Sequence, residues 1–92
     1  MNPREKLYYL VEKFIKEEYH IDLFCDEFTV VYNTEVDYNV LNNIEKTCFA
    51  ELCEFTARYS PVEEDLAIPN VYFNAEQVKD KANYVYNKLM SK

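Results

Sequence analysis

The chain has no glycine and no tryptophan, one histidine, three cysteines and three prolines in 92 residues. Average usage would make roughly 7% of residues glycine, and without it the backbone has no easy access to positive φ or to close contact with a phosphate. P-loops, dinucleotide-binding turns and nucleophile elbows depend on that access and are excluded. Tight β-hairpins lean on glycine as well, which points away from an all-β fold. Long apolar runs are missing too. Stretches such as Val30, Val31, Tyr32 extend for only a few residues, against the roughly 20 that a bilayer crossing needs. The opening MNPREK is charged and has no apolar h-region. No secretory signal is expected there, and the cytoplasm is the expected compartment.

Cys25, Cys48 and Cys53 leave one thiol over in any pairing, and the five-residue offset of the last two puts them on different helix faces. No disulfide framework follows from that spacing. Zinc needs close pairs of Cys or His, and His20 is the only histidine, so neither metal nor other cofactor is expected. The thiols read as small buried hydrophobes, and His20 as a helix-edge residue.

What is present is enough apolar material, 49% of residues, for one domain around one core. The first helix is signalled by Asn2 as cap, Pro3 at the first helical position and Glu5 completing a capping box. Its apolar positions Leu7, Leu10, Val11, Phe14 and Ile15 recur at helical spacing, and it should fade near Glu18. A second, shorter helix is expected in IDLFCDEFTVVY, with Phe24, Phe28 and Val31 inward and Asp22, Asp26 and Glu27 toward solvent. The β-branched FTVVY leaves a strand open as the alternative for residues 28–32. Asp37 is the expected cap of a third helix with the seam Leu41, Ile44, Cys48, Leu52, Phe55, Tyr59. A fourth opens at Asn74 with Gln77 closing a capping box and Phe73 stapling onto Val78. It continues along Val78, Ala82, Val85 and Leu89, with Lys88 and Lys92 at its negative dipole end. Between the last two helices, YSPVEEDLAIPNVYF reads as a packed loop broken by Pro61 and Pro69 and anchored by Leu66, Ile68, Val71 and Tyr72. The expected architecture is an all-α, antiparallel four-helix bundle.

Charge is segregated along the chain. From Glu17 to Asp65 thirteen acidic residues face two basic ones, Lys46 and Arg58, whereas the flanks carry eight basic and four acidic residues. A middle this negative repels phosphates, so direct nucleic-acid binding is not expected. Glu51 and Glu54, three apart, are expected on one flank of the third helix. Glu63, Glu64 and Asp65 follow its C-terminal end, against the helix dipole. Such a placement suits recognition, although acidity for solubility alone would produce similar composition. Glu51 and Glu54 could do acid–base work only with a pocket and a nearby His, which the sequence does not offer, so no enzyme is expected. Nine tyrosines exceed what a small core needs. Tyr8, Tyr9, Tyr19, Tyr38, Tyr84 and Tyr86 fall partly off the seams, and tyrosine is at home at protein interfaces.

Four stretches in this order, LYYLVEKFIKEEYHIDLFCDEF, DYNVLNNIE, ELCEFTARYSPVEED and YFNAEQVKDKANYVYNKL, together resemble the colicin D immunity-like family. These are small acidic cytoplasmic antidotes to tRNA-cleaving bacterial toxins. The resemblance covers nearly the whole chain. It departs where Val62 stands in place of an acid directly after proline, and in a third helix that reads longer. It implies a helical bundle that covers the basic active site of a cognate toxin nuclease domain, competes with its tRNA and has no chemistry of its own. Glu51, Glu54, Tyr59, Glu63, Glu64 and Asp65 are the expected partner-binding residues, on a chain that is monomeric when free. The alternatives are a phage-type acidic mimic of nucleic acid that inhibits a host nuclease, and a helical adaptor.

Overall fold

The computed structural model describes residues 1–91. Four substantial helices, α1 (Pro3–Ile15), α2 (Ile21–Val30), α3 (Asn43–Ala57) and α5 (Ala75–Met90), are joined by short irregular segments and one helical turn, α4 (Glu63–Leu66). Among the described residues β-structure is limited to one isolated bridge, Tyr59 with Phe73. The fold is all-α, and FTVVY is helical: α2 runs to Val30 and ends in a single π turn, Val31–Glu35, closed by the Val36 N–H on the Val31 carbonyl at 3.0 Å. Burial on one side decides for helix, because Phe24, Phe28 and Val31 reach the core together only at helical spacing.

The helices pack as a ring, α1 against α2 and α5, and α3 against α2 and α5. Cross-helix pairs give their directions. Along α2 and α3, Thr29 meets Thr56 while Asn33, four residues on, meets Cys53, three residues back. Glu17, just past the end of α1, binds Lys79 in the first turns of α5, and Arg4 at the start of α1 binds Glu45 at the start of α3. Neighbours are antiparallel and the diagonal pair is parallel, as an up-down-up-down bundle requires. Aromatic rings knit it together. Phe14 stacks on Phe24 at 4.1 Å, Phe24 leads to Phe28 at 5.6 Å, Phe28 to Phe49 at 6.0 Å, and Tyr8 meets Phe49 edge-on at 5.3 Å. Facing them, α5 contributes only the small buried side chains Val78, Ala82 and Val85, with Leu89 at the margin.

Local signals account for most boundaries. Asn2 accepts the Glu5 N–H at 2.8 Å with Pro3 at the start of α1, but only this half of the capping box forms. Asn74 and Gln77 make both halves at 2.8 Å each, and Phe73 stacks on Phe55 at 4.0 Å. Lys88 lies in the last turn of α5 as expected, while Lys92 is outside the described residues. Helix α1 stops at Ile15, earlier than Glu18. With no glycine available, Glu17 itself takes the left-handed position (φ 62°), and the N–H groups of Glu17 and Glu18 reach back to the carbonyls of Phe14 and Lys13.

Two expectations are corrected. Asp37 caps only one 3-10 turn, Tyr38–Val40, by accepting the Asn39 N–H at 2.9 Å. The cap of α3 is Asn42, in a reciprocal capping box with Glu45. The buried stripe of α3 is Glu45, Cys48, Phe49, Leu52, Cys53 and Thr56, while Ile44 is 54% exposed. Helix α3 is turned about one position from its apolar seam because α1 holds Glu45 inside. The second correction concerns the loop after α3. Ile68, Val71 and Tyr72 are exposed and do not anchor it. Its two ends are tied by backbone bonds instead: the Ser60 N–H to the Phe73 carbonyl at 3.0 Å and the Phe73 N–H to the Arg58 carbonyl at 2.9 Å.

Candidate functional site

Most of the six expected partner-binding residues are exposed, but the fold does not gather them all. Glu51 points along the α3–α5 side, where Lys81 binds it at 2.7 Å. Glu54 lies on the α2–α3 side beside Tyr32 and Asn33, with Arg58 at 3.4 Å one turn on. The two carboxylates therefore diverge around α3 and each has a cation. Lys81 is held further by the rings of Tyr84 at 4.6 Å and Phe55 at 5.8 Å, so this groove carries no net sign.

The other four residues do come together with help from α2. Tyr59 is partly buried, and burial, followed by the neighbouring Asp22 carboxylate, pushes its hydroxyl above the ordinary tyrosine range. The next residue, Ser60, is buried. Its hydroxyl donates to Asp65 at 2.8 Å and accepts the Val62 N–H at 3.1 Å. Tyr59 beside Asp22 and Ser60 bound to Asp65 thus bring α2 near α4, whose Glu63 and Glu64 stand exposed. These three acids occupy the first turn of α4. They do not lie against the dipole of α3, as expected from the sequence, but at the favourable end of a new helical turn. Their clustering is locally accommodated, so its energetic penalty no longer argues for a use.

Pairing decides where negative charge survives. Arg4, Lys13, Lys16, Lys79 and Lys81 bind Glu45, Glu18, Glu12, Glu17 and Glu51. Among the described residues the α2–α4 side keeps Asp26, Glu63 and Glu64 without an ion pair, and neither α2 nor α4 contains a lysine or arginine. Asp22, beside Tyr59, belongs to this surface, and Asp26 follows it one turn on along α2. The sequence showed them only as the solvent side of a helix, since nothing local says that Tyr59 folds back onto α2. Most tyrosines turn out to serve the bundle: Tyr8 binds Glu45, Tyr9 packs edge-on with Tyr19 at 6.4 Å, Tyr19 reaches Glu27 at 3.3 Å, and Tyr38 caps the Tyr32 carbonyl at 2.9 Å.

A groove of about 740 Å³ lies elsewhere, between the α1–α2 turn and the start of α5. Glu17, Glu18, His20, Glu76, Lys79 and Asp80 line it. His20 is the cap of α2, accepting the Asp22 N–H on Nδ1 at 3.3 Å, and Glu17 is held by Lys79. No triad-like pairing of a nucleophile with a base is formed there. Cys25, Cys48 and Cys53 are free and buried, and burial pushes the Cys25 thiol up to about 12, which leaves it a poor nucleophile. Among the described residues no group of three or more His, Cys, Asp or Glu is placed to hold a metal ion, and no helix is long and apolar enough to cross a membrane. No protein-family model matches the chain, and neither the curated proteins nor the solved structures contain a match to it.

Proposed function

We propose that this chain is a non-catalytic protein inhibitor: an immunity-type antidote, acting in the cytoplasm, that covers the cationic cleft of a tRNA-cleaving nuclease and excludes its substrate. The observation that carries the reading is the uncompensated acidity of α2 and α4, where Asp26, Glu63 and Glu64 have no cation while Lys13, Lys16, Lys79 and Lys81 are taken up by other carboxylates. A nuclease that grips tRNA needs a positive cleft, and a rigid acidic surface both speeds encounter with it and selects it. The resemblance to the colicin D immunity-like proteins supplies the class of target. The partner-binding set is revised to Asp22, Asp26, Tyr59, Glu63, Glu64 and Asp65, with Glu54 at its margin and Glu51, on the α3–α5 side, outside it.

The test is co-purification and titration. The nuclease domain encoded by the adjacent open reading frame is mixed with increasing amounts of this protein, and tRNA cleavage is followed. Cleavage should stop at equimolar inhibitor, with tRNA and nuclease both chemically unchanged. Protection by catalytic amounts, or full cleavage in the presence of excess protein, overturns the reading.

A further inference from the structure

The loop between α3 and α5 holds four large apolar side chains outside the core: Val62 at 43% exposure, Ile68 at 47%, Val71 at 42% and Tyr72 at 37%. They are not on a slack tether. The Tyr59 and Phe73 bridge closes the base of the loop, the Phe55 and Phe73 rings stack beneath it, and Ser60 ties Val62 and Asp65 together. The Ile68 N–H reaches the Asp65 carbonyl at 3.1 Å, and Asn70 turns the chain in the left-handed region at φ 63°. Apolar groups presented by an already ordered loop need little further ordering when they are covered, which is the condition for efficient docking.

The charges around them name the occupant. Between Arg58 and Lys79 the chain carries Glu63, Glu64, Asp65 and Glu76 and no cation at all. Another exposed apolar pair, Ile44 with Tyr84, borders a groove that contains Glu51 and Lys88 and is crossed by the Lys81 ion pair, so it selects no sign. We propose that the Pro61 to Tyr72 loop is a preformed docking knob for a protein surface that combines lysine or arginine with apolar side chains. The apolar residues enter the partner's hydrophobic pocket and Glu63 and Glu64 meet its cations. This deepens the inhibitor reading and rests on its premise of a cationic protein partner. Slow dissociation then comes from Val62, Ile68, Val71 and Tyr72, with the carboxylates governing encounter.

The test uses the intact protein and three synthetic peptides of equal length: amphipathic lysine–leucine, polylysine, and leucine–glutamate. Amide shifts are mapped by NMR at low and moderate salt. The lysine–leucine peptide should shift amides of residues 61–72, and Val62→Ser with Tyr72→Ser should weaken it about tenfold while leaving the weaker, salt-sensitive effect of polylysine unchanged. Glu63→Gln with Glu64→Gln should weaken both cationic peptides. Shifts centred on Ile44 and Tyr84, equal binding of leucine–glutamate, or indifference to the Val62 and Tyr72 changes overturn the proposal. So do concentration-dependent shifts of the loop without peptide, which mean that a second copy covers it. The nuclease titration separates this proposal from the inhibitor reading. Undiminished inhibition by the Val62→Ser, Tyr72→Ser variant sinks the docking knob and leaves the inhibitor standing. Peptide docking on the loop with no inhibition of the nuclease does the reverse.

Discussion

Glu45 is 1% exposed yet ionised, and its partners explain how that is possible. Burial would raise its carboxyl, but hydrogen bonds from Arg4, Tyr8 and the Asn42 N–H outweigh that and hold it below the ordinary carboxylate range. In return, burial and then Glu45 push the Tyr8 hydroxyl up to about 12. Because the folded pKa of Glu45 is depressed, its contribution is present above the unfolded pKa and is lost as pH falls through the folded one. Urea melts should show stability declining below about pH 4, the ordinary carboxylate range, and Glu45→Gln should flatten that limb. Glu45→Ala should cost about 2–3 kcal/mol, less than breaking a fully buried pair, since Arg4 can turn to water. At Glu17 the strain is conformational. Glu17→Gly should raise the melting temperature by several degrees despite losing the exposed Lys79 pair, because a side chain is unfavourable in the left-handed region. Lys79→Ala alone should leave it nearly unchanged.

At the scale of the elements, the α2–α3 contact contains a polar seam. Thr29 and Thr56 share a hydroxyl bond at 2.8 Å, and Thr56 also donates to the Cys53 carbonyl at 3.2 Å. A double-mutant cycle to valine should show each single change costing about 1 kcal/mol and the double change costing less than their sum, because removing both hydroxyls leaves neither unsatisfied. Helix α5 was the most legible element. Its cap, capping box and seam are contained in the stretch from Asn74 to Leu89, and all appear in the fold. Helix α3 was misread by about one position although its apolar period is strong. The deciding partner, Arg4, lies 41 residues away in sequence, and no helical period reports a carboxylate captured from another helix.

For the whole molecule, linear charge segregation overstates the surface field. Of the acids in the middle of the chain, Glu17, Glu18 and Glu51 are neutralised by flanking lysines of α1 and α5, Glu54 by Arg58, and Glu45 is buried. What remains is concentrated on α2, the segments after it, and α4. Reversing Glu63 or Glu64 to Lys should weaken association with a cationic partner by up to about tenfold and reduce its salt dependence, with unchanged melting. Lys79→Ala is the suitable control. Lys81 is not, since it joins α3 to α5 through Glu51 and two aromatic rings, and its loss should lower stability as well.

By itself the sequence determined that this is an all-α chain with four substantial helices, where most of them begin, and which backbone chemistries are closed to it. Caps and apolar periods act over a few residues, and the absence of glycine acts everywhere. Only the tertiary structure decided which face of α3 is buried, that the loop after it displays its apolar residues outward, and which carboxylates stay free of cations. Those outcomes depend on Arg4 finding Glu45, Phe73 closing onto Arg58 and Ser60, and Lys81 reaching Glu51. Each is a pairing between residues distant in the chain, and its energy exists only once the helices have packed.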